Sequence, residues 1–302
     1  MARCKECRGI AERWIGRRTW ELGGGGGVDA ERPLALRYYV ERMLMMPVYH
    51  VSGHQAYDLP DPFADLTGAA RAEQRAQFGL PADAFLFFNF NNAYKFSRRV
   101  LEAWAAILRR APNSKMVFLR QNGESAVNLP RFFSEQNVSA ERLVFVPYAT
   151  YETYFARLTS MDVALDCIAY NGGTTGLDVL AHAVPMISLA AEKIVQRMGT
   201  SFINALGVPE LIVRSMSEYE DLAVVLASDT ARYRQLRSKM RAQQHRMSTK
   251  RWVKGFETSV RLAFDTFSNR LQTAEARTSH AVAATFGSDD SAVPTLGSRS
   301  EF

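Results

Sequence analysis

The chain has 302 residues, with 37 Lys+Arg against 31 Asp+Glu for a formal charge of +6, 47% hydrophobic residues and 23% charged ones. Those values exclude a mainly disordered chain, a collagen-like chain and a coiled-coil rod, and they leave room for one large or two modest domains with a proper core. No apolar run approaches the ~20 residues of a membrane helix, no signal-peptide core opens the chain, and three cysteines cannot build a disulfide scaffold, so a reducing compartment is expected.

Residues 1–27 are Arg-rich and finish in a five-glycine run, which reads as a disordered linker. Cys4 and Cys7 have zinc-knuckle spacing, but no second Cys/His pair follows at a suitable distance, so the pair reads as chance and no metal is expected. Residues 38–46 are expected to be helical and 47–51 to form a strand, with a proline-rich loop over 58–65. From 84 onward short apolar strands alternate with helices. Residues 84–88 (AFLFF) predict a strand, and Ser97 then caps a helix whose apolar face is Val100, Leu101, Trp104, Ile107 and Leu108. Strands are expected at 115–119, 143–146, 163–165 and 184–189, and helices at 130–136, 151–158 and 174–183. Three more helices follow at 217–227, 230–247 and 251–267. Strands without in/out alternation, separated by helices, imply a Rossmann-like α/β fold with a parallel sheet buried on both faces. Residues 268–302 are Ser/Thr/Ala-rich and read as a disordered tail.

Three loops leave this sheet at the C-terminal ends of its strands. Asn171-Gly172-Gly173-Thr174-Thr175-Gly176 opens a helix, so glycine backbone, helix amides and two hydroxyls could form a phosphate cradle. A plain capped helix fits equally well, because Thr175 and Asp178 are spaced as in a capping box. Asp178 either complements the helix dipole or accepts hydrogen bonds from ribose hydroxyls. Lys95, in Asn89–Lys95, is either a solvated loop lysine or the cation that neutralises a diphosphate leaving group. Tyr148, Tyr151 and Tyr154 either pack or stack on a planar base, with Arg157 on the same side of that helix. A cation, hydroxyls with amides, and aromatic faces at one rim are what a nucleotide diphosphate requires.

These blocks resemble the C-terminal catalytic part of the protein O-GlcNAc transferases. The likeness lies in residues 77–84 (QFGLPADA), 89–95 (NFNNAYK), 104–114 (WAAILRRAPNS), 162–166 (DVALD), 171–180 (NGGTTGLDVL) with 184–186, and 218–221, and runs in order from about 41 to 267. The resemblance implies the C-terminal lobe of a GT-B glycosyltransferase, with the N-terminal lobe largely missing. Its domains would be a remnant of that lobe over 28–80 and a UDP-sugar-binding lobe over 81–267. Lys95 falls on the lysine that contacts the diphosphate and helps the leaving group depart. Thr174 and Thr175 fall on the phosphate-contacting pair, Asp178 on the ribose ligand, and Ala149 and Arg157 on uracil-side positions. Asn92 stands where the family usually has Gln, Tyr151 for Lys, Tyr154 for a stacking His, and Gly173 for a phosphate-side His. His50 and His54 take no assigned role.

The implied reaction is inverting transfer of GlcNAc from UDP-GlcNAc to Ser/Thr hydroxyls of acceptor proteins, without cofactor or metal, in the cytoplasm or nucleocytoplasm. The alternatives are a non-catalytic UDP-sugar-binding module or a SPINDLY-like protein O-fucosyltransferase. A nucleic-acid binder built on the basic stretch from Arg232 to Lys254 is the third reading, but such runs are usually solvated helix faces. Neither nucleic acid nor membrane is expected as a partner.

Overall fold

The computed structural model describes residues 68–121 and 123–272, with the two short strands Leu44–Met45 and Val282–Ala283. The chain divides into two compact units, Val48–Trp252 and a second made of Met1–Pro47 with Val253–Phe302. In the second, Leu44 pairs with Val282 and Met45 with Ala283 in parallel. Of the helix expected over 38–46, only Leu44–Met45 are described, and they form a strand, where pairing with another segment supplies backbone hydrogen bonds that a helix would have made locally; the rest of that span lies outside the described residues. The tail expected from 268 contributes the end of the last helix and the strand Val282–Ala283. The expectations for 1–27, 47–51 and 58–65, with Cys4, Cys7, His50 and His54, lie outside the described residues.

The first unit carries six parallel strands: β1 (Phe85–Asn89), β2 (Ser114–Leu119), β3 (Leu143–Val146), β4 (Val163–Leu165), β5 (Met186–Leu189) and β6 (Ile212–Val213). Their order across the sheet is β3-β2-β1-β4-β5-β6. Phe87 lies opposite Met116 on one side and Val163 on the other, and Ala164 lies opposite Met186. The order reverses between β1 and β4, which is the switch point where loops part and open α/β sheets take their ligands. β4 and β5 are buried along their whole length, as strands covered on both faces require.

Eight helices of the described residues belong to the sheet unit: α1 (Gly68–Gln77), α2 (Arg98–Arg110), α3 (Gly123–Glu135), α4 (Tyr151–Thr159), α5 (Thr174–Ala181), α6 (Met198–Leu206), α7 (Met216–Ser228) and α8 (Thr230–Ala242). A further helix, α9 (Thr249–Gln272), has its first turn in this unit and the rest of its residues in the second. Ser97 caps α2 by accepting from the Val100 amide, and the face expected for that helix is the buried one, with Leu101 half-buried. α3 begins upstream of its expected start and runs through Pro130. The helix expected over 230–247 stops at Ala242 and passes into a short 3₁₀ turn, Gln244–Met247. No described helix is long and apolar enough to cross a membrane.

Trp104, Tyr219, Phe87, Phe88, Phe118 and Phe202 are among the largest fully buried side chains. The Trp104 indole donates to the Tyr219 hydroxyl at 3.1 Å, and that hydroxyl donates to the Asp166 carbonyl at 3.0 Å. This chain ties α2 and α7 to the C-terminal end of β4.

The opposite end of the sheet is fastened by α1, which the sequence placed in the upstream segment 28–80 but which belongs to the sheet unit. Arg75 donates to Asp162 Oδ2 at 2.6 Å and to the Ala84 and Ser160 carbonyls at 2.8 and 3.0 Å. Arg71 also pairs with Asp162, whose Oδ2 accepts the Leu86 amide at 2.7 Å. Both Arg75 and Asp162 are almost wholly buried. Removing one partner strands the other's charge, so Asp162→Ala is expected to cost about 3–5 kcal/mol in denaturant unfolding. An exposed pair such as Arg131–Glu135 is expected to be worth less than about 1 kcal/mol in the same assay.

Candidate functional site

The site lies at the C-terminal rim of the switch point. β1 ends in Asn89, whose side-chain amide donates to the Leu165 carbonyl at 2.6 Å and whose Oδ1 accepts the Asn91 amide at 2.8 Å. Gln121, beyond β2, accepts from the Ala93 amide and donates to the Asn91 carbonyl, both at 2.7 Å. The loop after β1 is thus pinned from both neighbouring strands. Within it, Asn91 Oδ1 accepts from Thr175 Oγ1 at 2.9 Å and from Lys95 Nζ at 3.2 Å. Lys95 Nζ also donates to the Asn171 carbonyl at 3.1 Å and sits 4.1 Å from the centre of the Tyr170 ring. The loops after β1 and β4 therefore meet, bringing Lys95 to Thr175. Lys95 is held by neutral acceptors and an aromatic face and makes no ion pair among the described residues, the Asp166 carboxylate acting on it without contact.

Asp166, at the end of β4, shapes the second loop. Its Oδ1 accepts the Cys167 and Gly172 amides at 2.9 and 2.8 Å, and its Oδ2 accepts Ser188 Oγ at 2.8 Å. Asn171 is fixed in turn, donating from its side chain to the Cys167 carbonyl at 2.7 Å and from its amide to the Val195 carbonyl at 2.8 Å. Gly199, in the first turn of α6, comes so close that a Cβ there would lie 2.3 Å from Ser188 Oγ and 2.5 Å from Asp166 Oδ2. Full burial raises the Asp166 carboxyl from 3.8 to about 6, against the pull of its three donors and of Lys95.

Of the residues marked in the sequence, Lys95, Thr175 and the start of α5 converge. Gly173 is the N-cap of α5 and supplies no side-chain cap, whereas α2, α4, α7 and α8 each have one. Thr175 donates to Asn91 rather than closing a capping box. Thr174 is exposed beside it. Asp178 is buried one turn on, next to Tyr154. Burial first and the Asp178 carboxylate second raise the Tyr154 phenol well above its usual range. The Tyr154 ring packs on Phe155 and Phe90, with centroids 5.2 and 6.2 Å apart. Arg157 is buried, donates to the Pro147 carbonyl at 2.8 Å and lies 5.7 Å from the Phe78 ring, so it holds the loop that carries Ala149. Ala149 and Tyr151 are exposed on that loop and the start of α4. Asn92 is exposed and accepts from the Tyr148 hydroxyl at 3.3 Å. Asn91, Asn171 and Asp166 lie inside motifs quoted from the sequence, but none of them had a role of its own there. Their only signal was membership of the segments that also hold Lys95 and the threonine pair or end the strand before them.

No group of three or more His, Cys, Asp or Glu suited to a metal occurs among the described residues. The basic stretch of α8 is partly engaged, Lys239 with Glu210 at 2.7 Å and Arg237 with the Ala183 carbonyl at 3.2 Å.

A doubly wound sheet with an available cation and an uncapped helix start at its switch point is the arrangement of nucleotide-binding α/β domains. Comparison with known proteins narrows the class. The sequence model of glycosyl transferase family 41 matches residues 67–256, and the chain belongs to that family. It is 33% identical over 228 residues to the probable UDP-N-acetylglucosamine–peptide N-acetylglucosaminyltransferase SEC of Arabidopsis thaliana, covering 73% of this chain and 23% of that protein. It is 36% identical over 166 residues to the UDP-N-acetylglucosamine–peptide N-acetylglucosaminyltransferase of Caenorhabditis elegans, covering 55% of this chain and 14% of that one. The solved structure of a Thermobaculum terrenum O-GlcNAc transferase mutant superposes with a TM-score of 0.58 at 27% identity, over 63% of this chain and 37% of the other. The chain thus spans a quarter or less of these two curated relatives. Its sheet unit has the fold of the C-terminal lobe of a GT-B glycosyltransferase, as the sequence led one to expect.

Because the folded Asp166 titrates near 6 and an unfolded aspartate near 3.8, the folded state holds a proton that the unfolded state has lost between those values. That contribution is full below about pH 4 and is lost as pH rises through 6. Denaturant titrations of wild type and Asp166→Asn should show the wild-type stability, relative to the variant, falling by up to about 3 kcal/mol from pH 4 to 7. A pH-independent difference would exclude the shift.

Proposed function

We propose that this chain is the donor-binding part of a protein O-GlcNAc transferase, which moves GlcNAc from UDP-GlcNAc to a Ser/Thr hydroxyl of an acceptor protein. The observation that carries the reading is the meeting of Lys95 and Thr175 at the uncapped start of α5. Lys95 Nζ uses two of its three N–H groups on Asn91 and Asn171, leaving one for an anion. The α5 amides and the Thr174 and Thr175 hydroxyls would hold the phosphate oxygens. The void beneath, lined in part by Asn91, Asp166 and Thr175, is about 20 Å³. It has room for a water and no more, so the nucleotide lies on the open rim above it.

In the transfer step the acceptor hydroxyl oxygen forms a bond to the anomeric carbon from the face opposite the leaving group. The bond from that carbon to the diphosphate oxygen breaks, and its electron pair leaves with UDP. The hydroxyl proton passes to a base outside the described rim. Lys95 and the helix amides oppose the charge growing on UDP, which is the largest contribution such a site makes. No metal is assigned to that task. The family resemblance assigns Asp178 to the ribose and the loop at Ala149 and Tyr151 to the uracil.

Calorimetry with UDP is the direct test. The wild-type chain is expected to bind UDP in preference to GDP, and Lys95→Ala to weaken UDP by roughly 10- to 100-fold, the worth of one charge-assisted hydrogen bond. Equal UDP affinity in wild type and variant would remove the assignment, and preference for GDP would favour the fucosyltransferase reading.

A further inference from the structure

We propose that Asn91 is a positioning residue, one that couples Lys95 of one loop to Thr175 of the other so that an incoming diphosphate meets both as a single unit. The inference rests on the reading of this rim as a UDP site and adds to it the residue that presets its geometry.

Asn91 is 9% exposed and its backbone is held on both sides, the N–H by Asn89 Oδ1 at 2.8 Å and the carbonyl by Gln121 Nε2 at 2.7 Å. Its side chain is held too. An amide oxygen offers two lone pairs, and here Thr175 Oγ1 takes one at 2.9 Å and Lys95 Nζ the other at 3.2 Å. Gly172 keeps the space beside its amide nitrogen open, since a Cβ there would lie 3.1 Å from Nδ2.

The acceptor type matters as much as the contact. A neutral amide fixes the lysine and the threonine without cancelling the lysine's charge. A carboxylate of the same shape would hold both donors as well, pair with Lys95, and place a negative group against the phosphates. A methyl group would take away one of the two hydrogen bonds that hold Lys95 and leave it the Asn171 carbonyl and the Tyr170 ring, so that part of its ordering would have to accompany ligand binding. Asn91 therefore acts on the diphosphate through its two neighbours and touches neither sugar nor base.

The test is calorimetry of the full chain with uridine, UMP and UDP. Wild type is expected to gain affinity along that series. Asn91→Asp and Asn91→Ala are expected to lose at least about tenfold for UDP while binding uridine as wild type does. The Asp variant preserves shape and should unfold at the wild-type temperature, which guards against a misfolded Ala variant. A UDP-to-uridine ratio unchanged in N91D would overturn the role, as would an equal drop for both ligands, the mark of a merely structural residue. A wild-type chain that binds uridine but gains nothing from the phosphates would instead overturn the diphosphate reading itself.

Discussion

The parallel pairing of β1 with β4, Phe87 opposite Val163 and Phe88 opposite Ala164, decides where everything else can go. These two strands are distant in sequence, and the order of the sheet reverses between them. Their following loops must separate from the sheet side by side, with nothing from a third crossover to fill the gap. The gap is closed by polar side chains instead, Asn89 reaching across to Leu165 and Asn91 across to Thr175. A fully apolar strand therefore ends in asparagine for a physical reason. The last residue of β1 must satisfy backbone groups of its neighbour where the ladder stops.

β4 is framed by two buried aspartates that solve the same problem with different chemistry. Asp162, before the strand, is met by two arginines of α1 and a backbone amide. Asp166, after it, is met by two backbone amides and a serine hydroxyl. The first arrangement fastens a helix to the base of the sheet. The second has no cation in contact, so burial prevails and the carboxyl rises to about 6. Had an arginine stood in place of Ser188, its charge would have competed with Lys95 for any anion at the rim. The neutral donors around Asp166 leave the site with one dominant positive centre.

Much of the framework was readable because it is set by local patterns. The strands at 143–146 and 163–165 stand as expected, and Ser97 caps α2 as its position before an apolar face implies. Elements fixed by distant contacts were not readable. α6 begins Met198-Gly199-Thr200, a poor helix start by propensity, and forms where close approach to β4 and β5 rewards it. β6 is two residues long and carries no periodicity of its own. α5 was expected to reach residue 183 but stops at Ala181, because Ala183 takes a φ of 50° to turn the chain back toward β5. Lys95 and Thr175 could be marked by residue type. Asn91 could not, since its partner Thr175 is 84 positions away and an asparagine in a loop has many uses.

The close seat of Gly199 against Ser188 and Asp166 has a consequence for how this lobe can vary. The hydroxyl and the missing side chain occupy complementary volumes, at a separation of 2.3 Å that no methyl group tolerates. Position 199 therefore cannot gain bulk by a change at 188 alone: a side chain on α6 demands one surrendered on β5 and a shift of the Asp166 carboxylate, which lies 2.5 Å from the same point. Such an exchange would also strip Asp166 of its hydroxyl donor, so the floor beneath the rim drifts as a linked trio or stays as it is.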